Sequence, residues 1–230
     1  MGKYLKKFEN HTQYDTYING SGVILPNVSI CTTEGGVYYS PYVDPYNGYK
    51  YVDLDLPSGK LWACYNIGAS SELEYGDYYQ YGKGASKIEL TKEESDYTGL
   101  ENPLATSADT AAQIMGGNWR TPTKEEFEEL INNTTHESII DYDNSGINVT
   151  KYSSKKDSNK YIIFPWGGSW SLSTDGLKLT GVNSNVYVAS STPYGSNVGQ
   201  RVNFIPNGGY TSSNNRKNGY NVRGIIEKQN

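Results

Sequence analysis

The chain is short of the residues on which most side-chain catalysis and most disulfide scaffolds depend. Its 230 residues include two cysteines and two histidines. With only Cys31 and Cys64, no disulfide framework is implied, and both are read as buried free thiols. His11 and His136 are the only side chains whose ordinary pKa lies near neutrality. Neither stands beside a Ser or Cys nucleophile motif, and both read as surface residues. Basic runs are missing and the net charge is −5, which argues against nucleic acid as a partner. No apolar run approaches the length of a membrane span, so no membrane insertion is expected. The lysines near the N-terminus are not followed by an apolar stretch, and Lys6 stands where a myristoylation motif needs Ser or Thr. Synthesis in a cytoplasm without an export signal is therefore the expectation.

What is present is uneven. Phe and Trp number four each, against 22 Tyr and 25 Gly. Tyr offers a large rigid face with a polar tip, and Gly, Ser and Asn supply adaptable hydrogen bonding, the palette of binding loops. The same composition also fits a Gly- and Tyr-rich β protein with long loops.

Along the chain, residues 1–47 read as a small separate β-rich module. Val23–Leu25 and Val28–Cys31 are strand-like, and a turn over 32–36 precedes a strand at Val37–Tyr39. Residues 41–48 read as a linker. From there the pattern predicts strands at 51–54 and 61–64 around a tight turn, Leu56-Pro57-Ser58-Gly59. A first helix is expected over 107–115, capped by Ser107 and ended by Gly116-Gly117. The second is the best-marked element. Thr123 and Glu126 form a capping box, and Phe127, Leu130 and Ile131 make an apolar stripe at helical spacing. Beyond Phe164 only short strands are expected. The fold class is α+β, with domains at 1–47 and 48–230.

Five segments taken in order carry a resemblance: YVDLDLPSGKLWACYNIGASS with YGDYYQYG, then GGNWRTPTKEEFEELI, then YVASSTPYG, then GYNVRGI. Together they resemble the Fibrobacter succinogenes major paralogous domain, of the C-type-lectin-like superfamily. The resemblance covers about Tyr49 to Ile226. It implies two helices flanking small antiparallel sheets, with an irregular loop face that binds ligands. Trp62, Trp119 and Trp166 are expected to be scaffold, and Arg120 to tie down loop carbonyls. The leader KKFENHTQYDTYINGSGVILPNVSIC resembles attachment modules of gut bacteria and their tailed phages.

The catalytic and metal motifs of that superfamily are missing. No cysteine follows Cys64, which removes the paired cysteines of its oxidising members. Ile205-Pro206-Asn207 lacks the acidic partner of a calcium-lectin loop. Asp141 to Gly146 lacks the spaced terminal Glu of a calcium loop and reads as a turn. Glu125, Glu126, Glu128 and Glu129 read as a solvated helix face rather than a glycosidase pair. No enzyme activity, cofactor or metal is expected. Between Leu179 and Asn215 the only charge is Arg201, in a stretch rich in Tyr, Asn, Ser and Gly. Tyr187, Tyr194, Asn197, Asn203, Asn207, Tyr210, Asn214 and Asn215 are the candidate ligand-binding residues, of a chemistry suited to sugars and neutral polar epitopes.

The functional expectation is a phage virion surface protein, a fibre or decoration subunit, binding host glycans or another polar receptor without calcium. Its N-terminal module would hold other virion proteins, and a dimer or trimer is expected. The alternatives are a structural virion protein using the domain as a protein–protein wedge, and an extracellular bacterial adhesin of the same family.

Overall fold

Thr123 opens the longest helix among the described residues of the computed structural model. The structure describes residues 6–8, 32–33, 36–39, 46–85, 100–173, 176–194, 198–205 and 208–228. In chain order the first elements are β1 (Lys6–Phe8), β2 (Thr32–Thr33), β3 (Gly36–Tyr39), β4 (Tyr51–Asp53), β5 (Leu61–Ala63) and β6 (Tyr79–Gln80). Two helices follow, α1 (Thr110–Met115) and α2 (Lys124–Asn133). Next come β7 (Thr134–Ile139), β8 (Val149–Ser154), β9 (Tyr161–Pro165), β10 (Ser169–Ser173) and β11 (Gly176–Thr180). The chain closes with β12 (Val186–Tyr194), β13 (Val198–Ile205), β14 (Gly208–Asn215), β15 (Gly219–Tyr220) and β16 (Ile225–Ile226). These make small antiparallel sheets in a loop-rich α+β arrangement. No helix among the described residues is long and apolar enough to cross a membrane.

The capping box of α2 forms as its sequence predicts. Thr123 Oγ1 accepts from the Glu126 amide, and the Glu126 carboxylate accepts from the Thr123 amide at 2.8 Å. Glu125 and Glu126 place negative charge at the positive end of the helix dipole. Thr134 ends it, its hydroxyl donating to the Leu130 carbonyl at 2.7 Å. The β-branched pair Thr134-Thr135 then continues directly as β7.

The first helix starts later than Ser107. Asp109 is its cap, because its carboxylate accepts from the Ala112 amide and also holds the Thr121 amide and hydroxyl. One buried acid thus fixes the start of α1 and the approach to α2. Gly116, with φ of 67°, ends the helix.

Two cores lie on either side of a few shared strands. Trp62, Val186, Val188 and Ile225 face one core with Phe127 and Leu130 of α2. Leu61, Ala63, Ala189 and Ile226, from the same strands, face a second core with Met115 and Trp119. Strands covered on both faces need apolar residues at successive positions, which is why Leu61–Ala63 and Ile225–Ile226 do not alternate with polar ones. β5 is the middle strand of the sheet β16-β5-β4, so the two ends of this body meet on one strand.

Trp62, Trp119 and Trp166 are each almost fully buried, as scaffold residues would be. Residues 46–48 do not behave as a free linker. Tyr46 is buried, its carbonyl accepts from Trp119 Nε1 at 2.8 Å, and Asn47 donates to the Met115 carbonyl. Ahead of them, β3 lies between β1 and β2, so the strand expected at Val37–Tyr39 is present. Val23–Leu25 and Val28–Cys31 lie outside the described residues. Cys64 is disulfide-bonded and not a free thiol, a correction to the sequence reading. Two cysteines in the sequence carry no spacing signal for such a bond.

Candidate functional site

The candidate ligand-binding residues fall on the sheet β12-β13-β14, whose register decides which of them act together. Tyr187 pairs with Asn203, and Asn203 pairs with Tyr210, so these three stand in one cross-strand row. Asn214 pairs with Gly199 and belongs to the same face, two rungs beyond the pair Arg201–Ser212. Tyr194 and Asn215 both pair with Val198 and belong to the opposite face. Asn197 and Asn207 lie outside the described residues. Strand periodicity of two thus splits a set that is continuous in sequence.

The two faces differ in what covers them. Val186 and Val188 are fully buried on the face shared with Tyr194 and Asn215. The helix α2 packs there, with Thr211 Oγ1 bonded to Glu128 Oε1 at 3.1 Å. On the face of Asn203 and Tyr210, Tyr187 is half-buried at the edge of the second core, its ring 6.5 Å edge-on from that of Tyr220.

Much of the tyrosine surplus serves packing. Tyr46, Tyr79, Tyr81, Tyr152 and Tyr220 are all buried. Tyr81 donates to the Ser191 carbonyl at 3.0 Å and Tyr78 to the Gly167 carbonyl at 2.6 Å, so rings that fill the interior also pin loop backbone. Burial pushes the Tyr78 phenol up to about 12 and lifts Tyr79, Tyr81 and Tyr152 further. All four stay neutral at physiological pH.

The carboxylates of α2 are engaged with neighbours. Glu126 takes two hydrogen bonds from the Arg120 guanidinium, one of them 2.7 Å, and Lys60 lies 3.3 Å away. Burial raises the Glu126 pKa, but Arg120, the Thr123 amide and Lys60 together hold it below the ordinary carboxylate value. Arg120 is thus tied mainly to a carboxylate, with one longer bond to the Thr121 carbonyl. Glu129 accepts from the Ser58 amide at 2.7 Å. Of the acidic face read from the sequence, Glu126, Glu128 and Glu129 are thus engaged, while Glu125 remains exposed. The Asp141 carboxylate accepts from the Gly146 amide, closing residues 141–146 into a turn. Among the described residues no group of three or more His, Cys, Asp or Glu is placed to hold a metal ion.

Arg223, inside GYNVRGI, carries a role that sequence reasoning missed. It is fully buried and donates to Asn66 Oδ1 and to the carbonyls of Ala63, Cys64 and Ile163, with its guanidinium 4.3 Å over the Phe164 ring. Burial pulls its pKa down to about 9, which leaves it charged at neutral pH. The readable signal is a lone Arg between Val222 and Ile225-Ile226, since a charge in an apolar run must find buried acceptors.

Compared with known proteins, the chain matches no family model, no curated protein and no solved structure.

Proposed function

We propose that this chain is a non-catalytic recognition protein, with a C-type-lectin-like domain that binds glycans or similar neutral polar groups on a cell surface. The observation that carries the reading is the row Tyr187–Asn203–Tyr210, with Asn214 on the same face. Tyr and amide side chains at adjacent sheet positions match a ligand with apolar ring faces and a hydroxyl rim. The lectin-like assignment draws support from two helices beside small antiparallel sheets, with the body's ends meeting on β5. The setting we propose is the surface of a phage particle, on the leader's resemblance to attachment modules. Repeated copies there would turn weak single sites into avid ones.

The test is binding of the labelled full chain to intact candidate host cells, with and without a chelator. Binding should survive the chelator. Tyr210→Ala should weaken it about tenfold or more, one stacking contact being worth roughly 1–3 kcal/mol. Tyr194→Ala, on the face that α2 covers, should leave it unchanged. Equal loss from both variants would overturn the site assignment. The second reading is a structural wedge between proteins, which the three-stranded antiparallel sheet β12-β13-β14 also suits. Failure to bind even in multivalent display, with the Tyr210 face protected in an assembled particle, would favour it.

A further inference from the structure

A second surface, remote in sequence from the Tyr187–Tyr210 row, has the character of a built site. The sheet β7-β8-β9 and the turn before β9 enclose an open groove of about 400 Å³. That lies within the roughly 300–1,000 Å³ range of small-ligand sites. Its register aligns Thr135 with Ser153 and Tyr161, and Glu137 with Lys151. Ser158 and Asn159 close one end, and His136, stacked 5.4 Å from Tyr152, stands at the rim.

Apart from the Thr135 hydroxyl, which donates to the Ser153 carbonyl at 3.4 Å, the polar side chains on this groove are left unused by the fold, unlike those beside it. On the far side of the same turn Ser154, Lys160 and Asp55 bond one another, at 2.9 and 2.8 Å. Inside the groove, the Lys151 ammonium lies 4.2 Å from the Tyr161 ring centroid and makes no ion pair or hydrogen bond among the described residues. Glu137 is its cross-strand partner, yet the two form no salt bridge. The side chains of Ser153, Ser158 and Asn159 likewise have no hydrogen-bond partner among the described residues. Half-buried Glu72 lies within the electrostatic reach of Lys151. The groove thus offers one unpaired cation on an aromatic platform, hydroxyl and amide groups around it, and one carboxylate acceptor.

We propose that this groove is a second binding site, for a saccharide that carries a carboxylate. Lys151 takes the carboxylate in a charge-assisted bond. Ser153, Ser158 and Asn159 take ring hydroxyls, and Glu137 accepts from a hydroxyl that no neutral side chain would bind as strongly. A purely neutral sugar would leave the ammonium with the Tyr161 ring but no hydrogen-bonded counter-ion, and a bare anion would leave the amide and hydroxyl groups without a partner. The inference goes beyond the proposed recognition by the sheet β12-β13-β14 and uses none of its residues.

The experiment is calorimetric titration of the full chain with trigalacturonate, its methyl ester and a neutral galactose trisaccharide. The expected result is saturable binding of trigalacturonate, weakened about tenfold by esterification and by Lys151→Gln, the loss of one charge-assisted contact. Asn159→Ala, on an exposed turn, should also weaken it, and Tyr210→Ala should not. Unchanged thermal melting shows that the variants are folded. No saturable binding up to about 10 mM, far weaker than a typical specific contact, would overturn the proposal. So would equal binding of all three sugars, or loss through Tyr210→Ala. Trigalacturonate binding in a chain that ignores every cell surface would sink the sheet-based reading and leave this one standing.

Discussion

Arg223 donates to the carbonyl oxygen of Ile163 at 2.9 Å, across sixty residues of sequence, from a position with no solvent exposure. The same guanidinium holds the Ala63 and Cys64 carbonyls and the Asn66 side chain. It therefore joins the end of β5, the strand β9 and the approach to β16. Arg223→Met is expected to leave several buried acceptors unpaired, at about 1–3 kcal/mol each. Lys should not rescue it, because a compact ammonium cannot reproduce a planar fork of donors. Urea titration of both variants checks this; a change in midpoint no larger than for a surface substitution would show that the hub is dispensable.

The Arg120–Glu126 pair gives the acid response a direction. The Glu126 carboxyl sits below its ordinary value in the folded protein. A depressed carboxyl contributes stability that is complete above the unfolded pKa and is lost as pH falls through the folded one. Stability should thus decline below about pH 4.5, the ordinary value for a Glu carboxyl. Glu126→Gln should flatten that part of the curve, while lowering stability at pH 7 by about 1–2 kcal/mol through the weakened cap and the stranded guanidinium. Melting temperatures from pH 3 to 7 for both proteins measure it.

Two glycines separate backbone strain from crowding. Gly59 has φ of 69° with open space where a Cβ would lie. Gly168 has φ of 66°, and a Cβ there would collide with the Thr180 carbonyl and the backbone at Gly181. Gly59→Ala should cost about 1 kcal/mol, the left-handed penalty alone. Gly168→Ala should cost several times as much, because backbone has to move, and soluble yield with thermal melting would report it. Similar losses at both positions would contradict the crowding seen at Gly168.

Metal removal is expected to change nothing. The Asp141 carboxylate already holds the Gly146 amide, and Asn183 holds the Gly146 carbonyl at 2.9 Å. The turn is closed without an ion. A melting temperature that falls on adding a chelator would show a cation where protein hydrogen bonds now stand.

The sequence was most legible where local chemistry decides the outcome. Thr123, Glu126, Phe127 and Leu130 announce α2 because cap, dipole and apolar stripe agree within one element. The tight turn at Gly59 is readable for the same reason, and its amide bonds the Leu56 carbonyl at 2.9 Å. Asp109 was obscured by Ser107, an equally good cap, since the choice rests on Thr121, twelve residues away in sequence and out of sight of local pattern. The Tyr- and Asn-rich stretch was legible as strand and polar, but not by face. Membership of a face depends on register, which the irregularity between Ala189 and Pro193 shifts. Tyr187 and Tyr220 show the further limit. Tyr looks alike in a core and in a binding loop, and only the partner of the ring tells them apart.

The placement of β5 between β4 and β16 has a mechanical consequence. Tyr51 stands opposite Ala63, whereas Ile226 stands opposite Leu61, so the chain enters this sheet at one end of β5 and leaves at the other. The two outer strands are parallel to each other and about 10 Å apart. A pull applied through residues before Tyr51 and after Ile226 runs along the strands, in opposite senses on either side of β5. Such a load shears the hydrogen bonds of each pair together instead of peeling them in turn. Trp119, bonded to the Tyr46 carbonyl, adds a catch on the entering side. A body held in this way resists extension along its own chain.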